Sequence, residues 1–433
     1  MKVLVVGSGG REHALVWAIR RSKPDVKVYC APGNGGTAQE AVSVPIGIDQ
    51  IAELASFAKK EGIDLTIIGP ELPLTLGIVD RFEALGLRVI GPSAAAARLE
   101  GSKTFAKAFM QRHGIPTSAC LQTDSLDEAL DAARSNRFGL PLVIKADGLA
   151  AGKGVIIARS LDEAEAAIRQ ILEARILGDA GRKILLEQFL TGEEVSFLVF
   201  SDGVHALPMV PSQDHKTVFD NDLGPNTGGM GAYSADWILS PSAHHNLMER
   251  IVLPTLAGMA AEGMPYRGIL YFGLMVTQDG IHVLEYNARM GDPETQPVLL
   301  RLESDLLDVF EALLEQRLDQ VRLQWDSQRS VCVVLASGGY PGEYERGLEI
   351  SGLNGIEKPG VKVFHAGTER RNGHLVTAGG RVLGVTAKAA SLQAAMDLAY
   401  ATTERIRFRN MHFRRDIGRR GLVKERAAAR PGS

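Results

Sequence analysis

The chain reads as an α/β protein of several domains: a doubly wound parallel sheet first, a small mobile lid next, and an α+β domain at the C-terminal end. Three observations carry that reading. Over residues 1 to about 100, short apolar strands (Val3–Val6, Val26–Tyr29, Leu65–Ile68, Arg88–Ile90) alternate with helical stretches such as Glu12–Arg21 and Ile51–Lys60, the rhythm of βαβ units on a parallel sheet. Further on, two apolar runs, Pro141-Leu-Val-Ile and Val155-Ile-Ile, flank a glycine-rich turn. After Trp325 the pattern restarts with a strand, Ser330–Ala336, and closes near Ile417. A chain of 433 residues has room for about three domains. We expect residues 1–102, 103–325 (lid about 120–190) and 326–421, then a flexible Arg-rich tail over 422–433.

In order, Gly7-Ser-Gly-Gly-Arg-Glu12 follows the first strand. It starts like a dinucleotide fingerprint, but Glu12 stands where the third glycine belongs, and the second strand ends Tyr29-Cys30-Ala31 with no acid for a ribose. What remains is a glycine turn feeding a helix N-terminus, a place for a phosphate-sized anion; the bland reading is a tight turn with Arg11 in solvent. Gly69-Pro70 and Gly91-Pro92 put Glu71 and Ser93 at the carboxyl edge of the sheet, where open α/β sheets bind ligands. A helix from Lys103 to His113, stopped by Gly114 and Pro116, leads into the lid. Residues 191–325 follow and end in an amphipathic helix, Asp305–Leu318.

Composition narrows the class. The formal net charge is −3, so no global field attracts nucleic acid or a membrane surface, and small anions must be held by local cations. No apolar run approaches the roughly 18 residues of a membrane span, and the chain enters a strand at once without a leader. Cys30, Cys120 and Cys332 lack metal or redox spacing and read as reduced core residues. A cytoplasmic enzyme acting as a monomer is the expectation.

Two segments carry the chemistry. Lys145-Ala-Asp-Gly-Leu-Ala-Ala-Gly-Lys-Gly154 is a strand end, a glycine-rich loop and a returning strand. Gly152 and Gly154 let backbone N–H groups approach phosphates while Lys145 and Lys153 supply charge. It is not a Walker A loop, which needs one more residue between the glycines and a Ser or Thr at position 154. The second segment, His282 to Gln296, begins as a strand and breaks at Gly291 and Pro293. In a regular strand Glu285, Asn287 and Arg289 share a face. A carboxylate beside an amide oxygen suits Mg²⁺ held jointly with substrate phosphates, and Arg289 offers a planar fork for a carboxylate or phosphate.

Together these segments resemble the ATP-grasp superfamily. Further motifs narrow the likeness to the phosphoribosylamine–glycine ligase (glycinamide ribonucleotide synthetase) family: Gly7–His13, Ile68-Gly-Pro-Glu-Leu-Pro-Leu74, Leu99-Glu-Gly-Ser-Lys103, Ser212-Gln-Asp-His-Lys216, Gly224–Tyr233, Asn287–Gln296, Ala336–Gly342 and Lys362–Thr368. Ser8, Ala288 and Met290 depart from the family's usual residues without removing a charge.

The resemblance implies ATP and Mg²⁺, with Mn²⁺ as the alternative cation, and glycine and 5-phosphoribosylamine as substrates. It assigns Lys103, Lys145, Gly152, Lys153 and Gly154 to the phosphates, Glu187, Phe189 and Leu190 to adenine, and Glu194 to the ribose hydroxyls. Gly9, Gly10, Glu71, Asp214, Arg289, Asp292, Pro293, Glu294 and Thr295 would bind substrates, Glu285 and Asn287 the metal, and Arg289, Lys216 and Asp292 would serve catalysis. Local sequence alone equally allows Glu194 in a solvated turn and His215 as either a general base or a hydrogen-bonded loop histidine. A carboxylase-type relative and a nucleotide-sensing module are the competing functions; the Asp-His-Lys and Gly-Asp-Pro-Glu-Thr-Gln motifs speak against the first, intact Glu285 and Asn287 against the second.

Overall fold

The computed structural model describes residues 1–148, 154–176 and 178–428. At the N-terminus, five strands lie in the order Val42–Ser43, Lys27–Pro32, Lys2–Gly7, Leu65–Ile68, Val89–Ile90, every neighbouring pair parallel. The strand order reverses beside Lys2–Gly7, so Gly7 and Ile68 end side by side at the carboxyl edge, where a crevice forms. The sheet's strands are nearly continuous apolar runs because helices cover both faces: Val3, Val5 and Ile67 pack on one side, Leu4, Val6 and Ile68 on the other.

The lid is a four-stranded antiparallel sheet in the order Cys120–Thr123, Ile184–Gln188, Leu142–Ala146, Val155–Ala158. Its helices, Leu126–Arg134 and Leu161–Leu172, start at Ser125 and Ser160, whose hydroxyls accept the third-residue N–H as helix caps should. Alanine, leucine and isoleucine from the helices and strands form a core of their own.

The largest sheet has nine strands. Its path runs Gly280–Asn287, Arg267–Thr277, Glu193–Asp202, Ser212–Asp214, Gly231–Ser234, Arg329–Ala336, Arg381–Ala389, Val361–His365. It therefore crosses residue 326, where the sequence restarts, through the antiparallel pairing of Gly231–Ser234 with Arg329–Ala336.

One sequence expectation is corrected here. The Arg-rich end is not a frayed tail as far as residue 428: Arg419–Ala428 is a helix, docked through Glu425, which accepts the Leu392 N–H at 3.0 Å. The apolar stripe that would have signalled it is weak; the docking uses a glycine and ion pairs instead. The amphipathic helix is also shorter than read, Leu306–Leu314 capped by Asp305.

Candidate active site

Between the lid and the edge of the large sheet lies a cleft lined by cations. Lys145 closes the strand Leu142–Ala146; its buried ammonium stands 3.0 Å from Glu187 Oε2 and donates to the Leu284 carbonyl at 3.3 Å. Lys103 opens the helix Lys103–Arg112, begun by the Ser102 cap, and donates to the Gly148 carbonyl at 2.9 Å. Lys216 pairs with Glu194 at 2.8 Å and stands 4.0 Å from Glu285. The lid loop's Gly154 carbonyl accepts the Ala146 N–H at 2.8 Å, while Gly152 and Lys153 lie outside the described residues.

Glu285 and Asn287 share one face, as the alternation implies, although the strand is not regular. Glu285 pairs with Gly273 and Val283 with Leu274, so Leu284 is an extra residue, a β-bulge. That bulge turns the Leu284 carbonyl toward Lys145. Across the ladder, a Cβ on Gly273 would meet Glu285 Cγ at 3.0 Å, so the small residue there leaves room for the Glu285 side chain. Burial would raise the Glu285 carboxyl, but Lys216, Lys145, Lys103 and Arg289 outweigh it and hold it below its ordinary value. Glu285 and Lys216 keep 36% and 33% of their side-chain surface, so water moderates the field. The donor set, the partly exposed Glu285 carboxylate and the Asn287 amide oxygen, which accepts one N–H from Arg289 and keeps a second lone pair, fits a hard divalent cation.

Arg289 leaves the strand at its end and is more committed than the sequence implies. Its guanidinium meets Glu100 at 2.7 Å, Asn287 Oδ1 at 3.1 Å, the Met290 carbonyl at 3.2 Å and Glu71 at 3.3 Å. Of its five N–H groups, one on Nη1 is left over among these contacts, so the open fork expected of Arg289 is mostly filled by the protein itself. Burial opposes its charge, yet Glu100 and Glu71 outweigh that and raise its pKa. Glu100, buried and also accepting the Ala288 N–H at 2.6 Å, is a hub the sequence motif contained without marking.

The glycine loop departs from its expected role more sharply. The Gly9 N–H donates to Glu12 Oε2 at 2.5 Å and the Arg11 N–H to Asp292 Oδ2 at 3.3 Å. Two carboxylates thus occupy the helix N-terminus where a phosphate was expected. A Cβ on Gly9 would lie 3.1 Å from Asp292 Oδ2, and one on Gly10 would lie 2.5 Å from Gln296 Nε2. Both glycines therefore admit the turn after residue 290. Arg11 is not in solvent either: it is buried, donating to the Met290 carbonyl at 3.0 Å and pairing with Glu12.

Asp292 is held from two sides, by Gln296 Nε2 at 2.9 Å and by Arg381, whose Nη1 donates to the Asp292 carbonyl at 2.6 Å. Pro293 is buried against Gly229, Glu294 accepts the Tyr271 and Ser196 hydroxyls at 3.0 and 3.1 Å, and Thr295 bonds back to the Gly291 carbonyl.

Asp214 ends a strand, paired with Ala232, rather than lying in a loop. Burial raises its carboxyl, Glu294 and Glu194 add to that, and Lys216 opposes; it is pushed up to about 7. For Lys216 burial is outweighed by Glu194, Asp214 and Glu285, so the ammonium stays charged. Neither reading of His215 holds. Its ring is buried with neither nitrogen hydrogen-bonded among the described residues, and burial, with Arg420 and Arg414, pushes its pKa down to about 3, which does not suit base catalysis near neutrality.

Glu187 lies near the end of the lid strand Ile184–Gln188, and Phe189 and Leu190 follow it. Glu187 is buried between Lys145, Lys107 at 3.3 Å and the Ser118 hydroxyl at 2.9 Å, leaving Oε1 without a hydrogen-bond donor among the described residues; Phe189 and Leu190 are half-buried. Lys107 and Asp147 escaped the sequence reading. Asp147 accepts the Thr104 N–H at 3.1 Å and its hydroxyl at 2.8 Å, pinning the lid loop's base to the helix of Lys103. A carboxylate two residues beyond Lys145 was the available signal.

The chain is similar to known proteins over nearly its whole length. The descriptions "Phosphoribosylglycinamide synthetase" N domain, ATP-grasp (A) domain and C domain match residues 1–100, 101–295 and 330–420 in turn. The phosphoribosylamine–glycine ligase of Vibrio vulnificus (strain CMCP6) is 51% identical over 428 residues, covering 98% of this chain and 99% of the relative. That of Escherichia coli (strain K12) is 51% identical over 429 residues, covering 98% and 100%. The crystal structure of the Thermotoga maritima phosphoribosylamine–glycine ligase superposes with a TM-score of 0.82 at 34% identity, over 96% of this chain and 100% of that one. A biotin carboxylase from Campylobacter jejuni, at 16% identity and a TM-score of 0.71 over 95% and 92%, shares the fold. The chain belongs to the phosphoribosylglycinamide synthetase family, built on the ATP-grasp fold.

Proposed function

We propose that the chain is an ATP-dependent carbon–nitrogen ligase that joins glycine to 5-phosphoribosylamine, forming glycinamide ribonucleotide, ADP and phosphate in purine biosynthesis. The observation that carries this reading is the convergence of Lys103, Lys145, Lys216 and Arg289 on Glu285 and Asn287. Three lysines around a two-oxygen cation site suit a triphosphate with its divalent cation.

The nucleotide lies under the lid. Lys103 and Lys145 hold phosphate oxygens. Adenine sits against Phe189 and Leu190, its amino group donating to the unfilled Glu187 Oε1, and Glu194 accepts the ribose hydroxyls. Glu285 and Asn287 would hold the divalent cation, Mg²⁺ with Mn²⁺ as the alternative, since carboxylate and amide oxygens suit both. When bound, it neutralises charge building on the transferred phosphoryl group.

Glycine's carboxylate attacks the γ-phosphorus, giving glycyl phosphate and ADP. Lys216 and the remaining N–H of Arg289 offset the charge of the transferring group, and Asp214 as carboxylate receives the glycine ammonium. The amine of phosphoribosylamine, held between Glu71, the glycine loop and the Asp292–Thr295 turn, then attacks the acyl carbon and expels phosphate. Lid closure keeps water from the acyl phosphate. Among the described residues no helix is long and apolar enough to cross a membrane; we read the protein as a cytoplasmic monomer. ADP release that requires both glycine and phosphoribosylamine is the expected assay result. ADP formation that ignores either substrate would remove this reading.

A further inference from the structure

We propose that the C-terminal helix Arg419–Ala428 is a clamp for the nucleotide side of the cleft, with Arg420 as its positioning residue. The inference rests on the reading of Glu194 and Lys216 as facing the nucleotide. It starts from a weakness in the large sheet. The strands Glu193–Asp202 and Ser212–Asp214 share a single register pair, Ser196 with Ser212. Beyond that pair, the ends carrying Glu193, Glu194 and Asp214 diverge without ladder pairing, although their side chains must act together through Lys216.

What spans this gap is the helix and one glutamine. Arg420 Nη2 donates to the Asp214 carbonyl at 2.7 Å, Lys424 pairs with Glu193, and Gln213 Nε2 donates to the Glu194 carbonyl at 2.6 Å. Gln213 is held in turn by the Tyr233 hydroxyl, and the helix lies flush on Tyr233. A Cβ on Gly421 would come within 2.6–2.8 Å of side-chain atoms of Leu392, Tyr233 and Trp237, so only glycine allows this approach. The far side of the helix is fixed by Glu425, which accepts the Leu392 N–H and stands 3.0 Å from Arg329. One short helix thus ties Glu193, the Tyr233–Gln213–Glu194 relay and Asp214 to the C-terminal part of the chain. Most of it lies beyond the family match, which ends at residue 420.

The test uses the full chain carrying Arg420→Ala, Arg420→Lys or Gly421→Leu, with steady-state kinetics, calorimetric ATP binding and thermal unfolding. The clamp predicts that Arg420→Ala raises KM and Kd for ATP about fivefold, the size one hydrogen bond commonly carries, and leaves KM for phosphoribosylamine unchanged. Arg420→Lys should recover part of the loss by keeping a donor. Gly421→Leu, which levers the helix away, should reproduce the ATP defect while the protein stays folded. Wild-type ATP affinity in both Arg420→Ala and Gly421→Leu overturns the clamp. So does a fall in melting temperature with all three KM values moving together, since that is what a merely structural helix would give. A wild-type protein that binds no ATP overturns the reading of the cleft and the clamp with it.

Discussion

The two sides of the active crevice hold their charges differently. On the lid side, Lys103 donates to a neutral carbonyl, Lys145 shares Glu187 with Lys107, and Lys216 keeps a third of its side-chain surface beside Glu194 and Glu285. On the glycine-loop side, the amides and arginines that could hold an anion are met by Glu12, Asp292, Glu71 and Glu100. The lid side is therefore built to gain a polyanion, whereas the loop side is neutralised in advance and must exchange a partner to accept a phosphate. The lid cleft depends on cations left within reach of a ligand; the loop depends on geometry.

The largest expected effect tests the lid side. Replacing Glu285 by Gln removes the negative oxygen that the cations surround and should lower turnover by at least ~10²-fold, with a melting temperature near wild type because the side chain is one-third exposed. Near-normal turnover at saturating Mg²⁺ would take Glu285 off the cation. On the loop side, Arg381→Ala frees the turn of Asp292 by deleting a buried carbonyl contact. It should cost about 1–3 kcal/mol of stability and raise KM for phosphoribosylamine roughly tenfold, leaving KM for ATP alone. A rise in both constants would mean the two sides are not separable.

Much of this was legible in advance, and the limits have a physical cause. The alternation along Glu285–Asn287, the hairpin at Lys145 and the parallel sheet are local patterns, written in periods of two and in glycine placement. Glu100 was not legible as the partner of Arg289 because the contact spans 189 residues of sequence and a lone glutamate in a helix carries no signal. The joining of Gly231–Ser234 to Arg329–Ala336 escaped for the same reason. Gly9 and Gly10 read as part of a turn open to an anion, but sequence could not say that Asp292 and Gln296 stand against them. The C-terminal helix was missed because polar and ionic contacts dock it.

A smaller effect concerns pH. In the free protein Asp214 is pushed up to about 7, by burial first and by Glu294 and Glu194 next. It is protonated below that value and a carboxylate above it, and only the carboxylate can hold the glycine ammonium. KM for glycine should therefore fall severalfold between about pH 6 and about pH 8, and Asp214→Asn should flatten the profile at the high-KM level. A profile unchanged by the substitution would move glycine away from Asp214.

The central claim is that the lid side activates glycine by γ-phosphoryl transfer. Turnover with glycine carrying ¹⁸O in its carboxylate, followed by mass analysis of the products, tests it directly. Attack on the γ-phosphorus predicts ADP with one labelled oxygen in the inorganic phosphate, because the acyl phosphate breaks at its C–O bond when the amine attacks. AMP and pyrophosphate as products, with the label on AMP, would contradict the assignment of Lys103, Lys145 and Lys216 around the terminal phosphates.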